Sequence, residues 1–297
     1  MKGWRIIVAS PKSQSIQQRG PSVTSLLKRL GMTPRKSLGQ HFLVSPGVVD
    51  KVLSASPVTK RDVVVEIGPG LGALTGGLAE KAGFVLALEL DNNLANALST
   101  SFRSQTNIRI VNGDALKVDL ETLVDKNLEY HVVANLPYYV ATAVIRRFLE
   151  ATHKPKSLVV TVQREVAKNM VAAPGNLNLL AIGVQCYGTP RIVAFVQPGS
   201  FYPRPNVTSA IVRVDVYDRP WVEIQNQANF FKLVKAGFKA RRKQLRGGLA
   251  RALSISSVEV DAVLTHVGIG GDKRAEDLSI PEWVTFFHAV TEAGWKL

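Results

Sequence analysis

Cysteine is almost absent from this sequence, and long apolar runs are absent altogether. Cys186 is the single cysteine among 297 residues, which excludes an internal disulfide and a zinc site made of several cysteines. A lone cysteine suits a reducing compartment and is usually a small buried side chain. No apolar run reaches the roughly 18 residues that cross a bilayer, so any membrane contact would be peripheral.

Acidic residues are the scarcer charge. The chain has 37 Lys and Arg against 23 Asp and Glu, a net charge of +14 and a pI near 10.0. Such an excess predicts a polyanionic partner, either nucleic acid or an anionic membrane surface. No acidic residue precedes Asp50, and residues 1–22 are rich in Ser, Gln and Pro. We interpret residues 1–22 as a basic disordered tail, with an organellar transit peptide as the alternative.

From residue 62 onwards, short β-branched runs alternate with amphipathic segments. The length predicts one large domain and a smaller one, and nearly continuous apolar strands separated by helices predict a parallel sheet covered on both faces. Two strands without an intervening helix in residues 194–217 predict an antiparallel hairpin at one edge. After Pro220 only helical patterns follow. We therefore predict a Rossmann-like α/β domain over residues 23–219 and a small all-α domain over residues 220–297. The predicted strands are "DVVVEIG", "FVLALELD", "IRIVNGDAL", "YHVVANL" and "SLVVTVQ", and the first two predicted helices are "GALTGGLAEKA" (72–82) and "NNLANALSTSF" (92–102).

A glycine-rich stretch, "EIGPGLGALT", follows the first predicted strand. Gly68 and Gly70 allow a tight turn whose backbone can approach a ligand at the start of the next helix. The spacing Gly68-x-Gly70-x-x-Ala73 also satisfies the relaxed dinucleotide fingerprint, so an NAD-dependent oxidoreductase stays an alternative.

Two carboxylates mark the ends of the next two predicted strands. Glu89 can accept hydrogen bonds from both hydroxyls of a ribose. Asp114 can accept one from an exocyclic amine, which suits adenine better than nicotinamide. Either acid alone could equally be a helix cap. Their shared position at strand ends favours a cofactor that contains adenosine.

The fourth predicted strand ends in "NLPYY", where Asn135, Leu136, Pro137 and Tyr138 emerge together. A nucleobase amine is a poor nucleophile while its lone pair is delocalised into the ring. The Asn135 carboxamide oxygen and the Leu136 carbonyl can each accept one N–H and stabilise the positive charge that develops on the nitrogen. Pro137 restricts the backbone, and Tyr138 can stack on a base withdrawn from its helix. No strong general base is needed, because the alkylated nitrogen can lose its proton to solvent.

Five stretches in order, "SLGQHFLVSP", "EIGPGLGALT", "NLPYYVAT", "FYPRPNVTSAIVR" and "FKARRKQLRGGL", resemble the family of ribosomal RNA adenine N6-dimethyltransferases. The resemblance runs from about residue 23 to the C-terminus and implies a Rossmann-like methyltransferase sheet with S-adenosylmethionine as the cofactor. It implies cofactor contacts for His41, Leu43, Gly68, Glu89, Asp114 and Asn135, to which we add Glu66 and the loop residue Gly70 as candidates. His41 stands where many relatives have Asn. A cofactor role for Glu66, two positions before Gly68, would involve the cofactor's amino group.

Two further features complete the predicted site. Phe201, in "FYPRPNV", should lie opposite Tyr138 and stack on the other face of the target base, although a core position is the alternative. No acid occurs between Ile224 and Val258, and we expect the basic residues there to contact RNA. Those singled out are Lys239, Arg241, Arg242, Lys243 and Arg246.

The resemblance implies dimethylation of N6 on two adjacent adenosines in a hairpin loop near the 3′ end of the small-subunit (16S) RNA, during ribosome biogenesis. We expect a cytoplasmic monomer that binds the small ribosomal subunit and requires neither a metal nor a membrane. The alternatives are a large-subunit adenine N6-methyltransferase of the macrolide-resistance type and a non-catalytic RNA-binding assembly factor. "FKARRKQLRGGL" and "RAEDLS" (274–279) favour the small-subunit enzyme.

Overall fold

The computed structural model describes residues 22–223, 226–240 and 243–297. The interpretation of residues 1–22 as a tail falls outside these ranges except for Ser22, and Arg241 and Arg242 also lie outside them.

Nine strands form two sheets in the described part of the chain. The strands of the large sheet are buried along most of their length, because helices cover both of its faces. The strands are β1 (Phe42–Leu43), β2 (Val63–Ile67), β3 (Phe84–Glu89), β4 (Ile108–Asn112), β5 (Tyr130–Asn135), β6 (Ser157–Gln163), β7 (Gly188–Val196), β8 (Phe201–Tyr202) and β9 (Ser209–Val216).

The large sheet has the strand order β4-β3-β2-β5-β6-β9-β7. The pairings among β2, β3, β4, β5 and β6 are parallel, whereas β9 runs antiparallel to both β6 and β7. The chain moves outwards from β2 through β3 to β4, then returns to the other side of β2 with β5. This reversal opens a crevice at the carboxyl ends of β2 and β5, where open α/β sheets bind ligands.

Eleven α-helices accompany the strands within the described residues. The first seven belong to the α/β part, and the last four follow β9. The helices are α1 (Val23–Arg29), α2 (Pro46–Ala55), α3 (Thr75–Lys81), α4 (Asn92–Ser101), α5 (Ala141–Glu150), α6 (Arg164–Met170), α7 (Leu179–Gln185), α8 (Gln227–Phe238), α9 (Leu245–Leu253), α10 (Ser257–His266) and α11 (Ile280–Glu292).

The predicted helix 72–82 begins later than expected, at Thr75. Gly72 has φ +84°, which an α-helix cannot contain, so the chain completes its glycine-rich turn before the helix starts. A Cβ on Gly72 would lie 2.9 Å from the Phe102 ring, so the position is also too crowded for a side chain.

The predicted antiparallel pair after residue 194 is confirmed, with a difference in extent and position. Its first strand, β7, begins at Gly188 and occupies the edge, while β9 lies inside the sheet between β6 and β7. A separate short pair joins β1 to β8, with Leu43 opposite Phe201. This pair ties the segment before α2 to the loop between β7 and β9.

The predicted all-α C-terminal part is confirmed, since α8 to α11 are the regular elements of the described residues after Pro220. Their core is continuous with that of the sheet. Phe230 of α8 and Trp283 of α11 are fully buried in the same cluster as Val160 and Val212 of the sheet. Burial of this shared apolar surface holds the helices against the α/β part.

Candidate active site

A cavity of about 320 Å³ occupies the crevice at the carboxyl ends of β2 and β5. Its walls come from the segment before α2, the glycine-rich loop, the ends of β3 and β5, the loop after β4, and Phe201 of β8. The residues predicted to hold a cofactor or a base that line it are His41, Leu43, Glu66, Gly68, Gly70, Glu89, Asp114, Asn135, Leu136, Pro137, Tyr138 and Phe201. The structure therefore brings all the predicted pocket residues to one cavity.

The glycine-rich loop packs directly under the segment before α2. Gly70 has φ +60°, and a Cβ there would lie 3.0 Å from the Phe42 ring. The Gly70 N–H donates to Oε2 of Glu89 over 3.0 Å, which fixes the loop to the end of β3. Only glycine satisfies both the backbone angle and the close packing at this point.

Glu89 and Glu66 place two buried carboxyl groups beside the loop. Besides Gly70, Glu89 accepts the Asp91 N–H at Oε1 over 2.9 Å. Burial raises the pKa of Glu89, an effect that these amide donors oppose. Burial also raises the pKa of Glu66 to about 8, and its Oε2 has no hydrogen-bond partner among the described residues. Glu66 is thus a buried acid that lines the cavity, and one of its carboxyl oxygens has no hydrogen-bond partner among the described residues.

Asp114 lines the cavity from the loop that follows β4. Its Oδ1 accepts the Leu116 N–H over 2.9 Å, and Lys117 lies 3.8 Å from its Oδ2. The side chain is 31% exposed, so Oδ2 stays open to a further donor.

Asn135 has its amide group oriented by one backbone contact. Its Nδ2 donates to the His41 carbonyl over 2.9 Å. The amide nitrogen is committed to the protein, which leaves Oδ1 as the free acceptor at the cavity. Leu136, the next residue, is buried and its N–H donates to the Thr161 carbonyl over 3.3 Å. These two hydrogen bonds fix the end of β5, so that the Oδ1 of Asn135 is left to face the cavity.

Tyr138 is held at both ends of its side chain. Its hydroxyl bonds to the Ser209 hydroxyl over 2.7 Å, and its ring stacks on His41 with centroids 5.6 Å apart. Burial raises the pKa of Tyr138. Nδ1 of His41 lies 2.6 Å from the Pro203 carbonyl, so Nδ1 carries the proton and donates. Phe201 is 4% exposed, packed in the core beside Leu43, and still lines the cavity.

Three predicted RNA-contacting residues lie in the described part of the helical region. Lys239, Lys243 and Arg246 are all exposed, around the break between α8 and α9. Arg246 lies 3.5 Å from Asp261 and is partly neutralised, whereas the described residues provide no ion pair for Lys239 or Lys243. The predictions for Arg241 and Arg242 lie outside the described residues.

The sequence did not reveal the anchor of the segment that precedes α2. Asp91, buried, accepts from Asn93 and Leu94 as the N-cap of α4. Its Oδ2 also accepts a hydrogen bond from Gln40 Nε2 over 3.3 Å and lies 3.3 Å from a guanidinium nitrogen of Arg35. The only sequence signal was an acid just before a helix, which predicts a cap but not a partner fifty residues away.

A family model described as "Ribosomal RNA adenine dimethylase" matches residues 31–292. The chain belongs to the ribosomal RNA adenine dimethylase family. The family resemblance drawn from the motifs is confirmed, and so is the assignment of this dimethylase-family protein as an enzyme.

Relatives of this dimethylase-family chain are similar over nearly their whole length. The ribosomal RNA small subunit methyltransferase A of Dehalococcoides mccartyi is 47% identical over 258 residues, which cover 87% of this chain and 89% of that protein. The protein of the same description from Alkaliphilus oremlandii is 39% identical over 254 residues, covering 84% and 88%.

Solved structures confirm the predicted fold class of this dimethylase-family protein. A dimethyladenosine transferase from Plasmodium falciparum superposes with a TM-score of 0.76 at 23% identity, covering 86% of this chain and 99% of that one. The 23S rRNA methyltransferase ErmE superposes with a TM-score of 0.68 at 25% identity, covering 84% and 99%.

S-adenosylmethionine is the methyl donor of the family, and the cavity of this dimethylase-family chain fits it. The cofactor contains an ammonium group, a ribose and an adenine. The unpartnered Oε2 of Glu66 can accept from the ammonium group. The buried Glu89 can accept from the ribose hydroxyls, and the open Oδ2 of Asp114 can accept from the adenine amine. Within the described residues, no group of three or more His, Cys, Asp or Glu side chains could hold a metal ion, and no helix has the length and apolarity to cross a membrane.

Proposed function

We propose that this protein transfers methyl groups from S-adenosylmethionine to N6 of two adjacent adenosines in a hairpin loop near the 3′ end of the small-subunit RNA. The observation that carries the proposal is the free Oδ1 of Asn135 at the end of β5, in a chain 47% identical to a small subunit methyltransferase A. The modification belongs to ribosome biogenesis.

Asn135 and Leu136 supply the polar contacts to the target amine. When bound, S-adenosylmethionine would supply a methyl carbon on a positively charged sulfur; N6 would bond to that carbon while the carbon–sulfur bond breaks and the sulfur leaves as a neutral thioether. The Asn135 Oδ1 and the Leu136 carbonyl each accept one N–H of the amine and draw its lone pair out of conjugation with the ring. The same two oxygens stabilise the positive charge that builds on N6. Solvent takes the proton from the methylated nitrogen, so no buried base is required.

Tyr138 and Phe201 supply the apolar contacts to the base. The hydroxyl bond to Ser209 and the stacking on His41 keep the Tyr138 ring in one orientation before substrate arrives. Phe201 lines the cavity from β8, and we assign it the face of the base that Tyr138 does not cover. A base held between two rings gains roughly 1 to 3 kcal/mol per stacking contact, which offsets its removal from the RNA stack.

Binding of the RNA is assigned to the exposed cations around the break between α8 and α9. Lys239, Lys243 and Arg246 carry the described part of this basic surface. Contacts of this kind give affinity that depends on salt, while loop shape and the extruded base give specificity. We propose a cytoplasmic monomer that acts on the small ribosomal subunit and not at a membrane, in keeping with the single buried cysteine.

Labelled methyl transfer to purified, unmethylated ribosomal subunits tests the proposal. We expect label in the small subunit only, at two neighbouring adenosines near the 3′ end of its RNA, mapped by primer extension. The Asn135→Ala protein serves as the inactive control. Label in the large-subunit RNA would instead establish the activity that the name of ErmE describes. Absence of label from both subunits, with RNA binding intact, would support a non-catalytic assembly factor.

A further inference from the structure

Phe195 and Arg164 form an open aromatic–cation pair that the proposed mechanism does not use. The Arg164 Cζ lies 5.8 Å from the centroid of the Phe195 ring. Phe195 is 51% exposed and the Arg164 side chain is 49% exposed. Half of each group therefore remains available to a third flat group, and both an aromatic ring and a guanidinium plane can stack on a nucleobase.

The pair lies at the carboxyl ends of its strands, the same end of the sheet that carries the active site. Phe195 is the penultimate residue of β7, and Arg164 is the first residue after β6. The carboxyl ends of these strands lie at the edge where β5 delivers Asn135. Since β5 and β7 are three strands apart in the order, Phe195 is about 14 Å from the end of β5 across the sheet.

Ser209 connects the pair rigidly to Tyr138. Ser209 is opposite Gln163 on one side and Val196 on the other, the immediate neighbours of Arg164 and Phe195. The Arg164 N–H also donates to the Thr208 carbonyl over 2.9 Å. Ser209 is fully buried and bonds the Tyr138 hydroxyl. The backbones that carry the pair are thus bonded to the strand of Ser209, and the Ser209 hydroxyl joins that strand to the Tyr138 ring.

The charges around the pair suit a polyanion. Lys168 on α6 and Arg204 in the loop before β9 are exposed cations. Glu165 lies 3.9 Å from both Arg164 and Lys168, so it neutralises neither of them closely. An excess of cations beside an open ring is the combination that binds single-stranded nucleic acid.

We propose that Phe195 and Arg164 form a stacking platform for a nucleotide of the single-stranded RNA loop that flanks the target adenosine. The platform sets the register of the loop over the cavity, so that the correct base reaches Tyr138. This inference rests on the proposed function, because it assigns a second contact to the same RNA substrate. It is separate from the basic surface around α8 and α9, which lies on other elements.

Steady-state methyl transfer to small subunits tests the platform with Phe195→Ala and Arg164→Gln proteins. Loss of one stacking contact should raise KM for the subunits roughly tenfold and change kcat less than twofold. Cofactor affinity, measured by calorimetry, should equal that of the wild type. Thermal melts should show folded proteins, because both side chains are half-exposed at the sheet edge.

Two variants at comparable exposed positions serve as controls. Trp221→Ala removes an aromatic side chain that is 46% exposed, and the Trp221 N–H donates to the Cys186 carbonyl near the start of β7, at the opposite edge of the sheet. Arg109→Gln removes an exposed cation from β4, the far edge strand. Neither should change KM for the subunits.

A crosslinking experiment identifies the partner directly. Phe195 replaced by photoreactive p-benzoylphenylalanine should crosslink to a nucleotide within a few positions of the methylated adenosines. Crosslinks to a ribosomal protein or to distant RNA would overturn the platform, as would a KM for Phe195→Ala equal to that of Trp221→Ala. If the wild type itself transfers no methyl group to the small subunit, the proposed function fails instead, so the two failures are distinguishable.

Discussion

At the scale of single residues, the chemistry depends on which way one amide group faces. Asn135 Nδ2 is bonded to the His41 carbonyl, so the carboxamide cannot present its nitrogen to the cavity without breaking that bond. An N–H facing the target amine would repel its N–H groups, whereas Oδ1 accepts a hydrogen bond from one of them. The backbone carbonyl of His41 thus determines which atom of the Asn135 carboxamide faces the cavity, independently of the imidazole ring.

We expect Asn135→Ala to lower kcat at least about 100-fold, the scale found when one preorganised polar contact to a developing charge is removed. Affinity for small subunits should stay within about twofold, because the basic helices are untouched. Single-turnover methyl transfer and filter binding measure the two quantities. Asn169→Ala, on the exposed face of α6, is the matched control. An Asn135→Ala protein with normal turnover would refute the assigned role.

Glu66 gives the cofactor-free protein a distinctive pH dependence. Its pKa rises from 4.5 to about 8 on folding because the group is buried. The folded state therefore holds the proton more tightly than the unfolded state, and stability is lost as pH rises from about 5 through 8. We expect Glu66→Gln, which cannot ionise, to gain stability relative to the wild type over this range, by roughly 7 °C in Tm at pH 8.

Thermal melts of both proteins at pH 5, 6.5 and 8, without cofactor, measure this difference. Glu80→Gln, which removes an exposed acid from α3, is the matched control. A constant Tm difference between Glu66→Gln and the wild type would mean that Glu66 is ionised in the folded protein at all three values.

At the scale of elements, the segment from α1 to β1 is held over the cavity by a few long-range contacts. Asp91 links Arg35 and Gln40 to the start of α4, and β1 pairs with β8. The Asp91 N–H in turn donates to Glu89. The covering segment and the predicted ribose contact are therefore neighbours in one hydrogen-bonded network.

We expect Asp91→Ala to lower the free energy of unfolding by about 2 kcal/mol, since it removes a helix cap and leaves buried donors unpaired. It should also weaken S-adenosylmethionine binding several-fold, because the covering segment loses its anchor. Asp119→Ala is the control, as Asp119 caps a 3₁₀ turn without holding a cation. Urea unfolding and calorimetry measure both effects, and equal losses in the two variants would rule out an anchoring role.

The elements also show what local sequence can predict. Strand 157–163 was predicted at its observed bounds, and β5 within one residue, because a buried parallel strand leaves an uninterrupted apolar run. The predicted start of α3 was wrong by three residues, because a sequence does not show that Gly72 has a positive φ, which an α-helix cannot contain. The Tyr138–Ser209 and Asp91–Arg35 contacts were missed, since no local pattern encodes partners 50 to 70 residues apart.

At the scale of the whole molecule, the net charge of +14 is distributed unequally between paired and unpaired cations. Lys239 and Lys243 have no ion pair within the described residues, while Arg246 faces Asp261. A cation already paired with a carboxylate releases fewer counterions from RNA when it binds. Removing the charge of Lys239 or Lys243 should therefore reduce the salt dependence of RNA affinity more than removing the charge of Arg246.

We expect the double change Lys239→Gln and Lys243→Gln to weaken subunit binding and to reduce the slope of log affinity against log salt by about 1 to 2. Arg246→Gln should change the slope by less than 1. Lys126→Gln, which removes a lysine paired with Glu121, is the control. Binding isotherms from 50 to 300 mM salt measure the slopes, and identical slopes in all four proteins would remove these lysines from the interface.

The hydroxyl contact between Tyr138 and Ser209 has a consequence during translation. Ser209 is made 71 residues after Tyr138, at the start of β9, the strand that completes the interior of the sheet. A nascent polypeptide that stops short of this serine already contains the glycine-rich loop and the NLPY corner, but the hydroxyl of its tyrosine lacks the Ser209 partner. In each new copy the Tyr138 hydroxyl therefore gains its anchor only once the later strand has left the ribosome and inserted into the sheet.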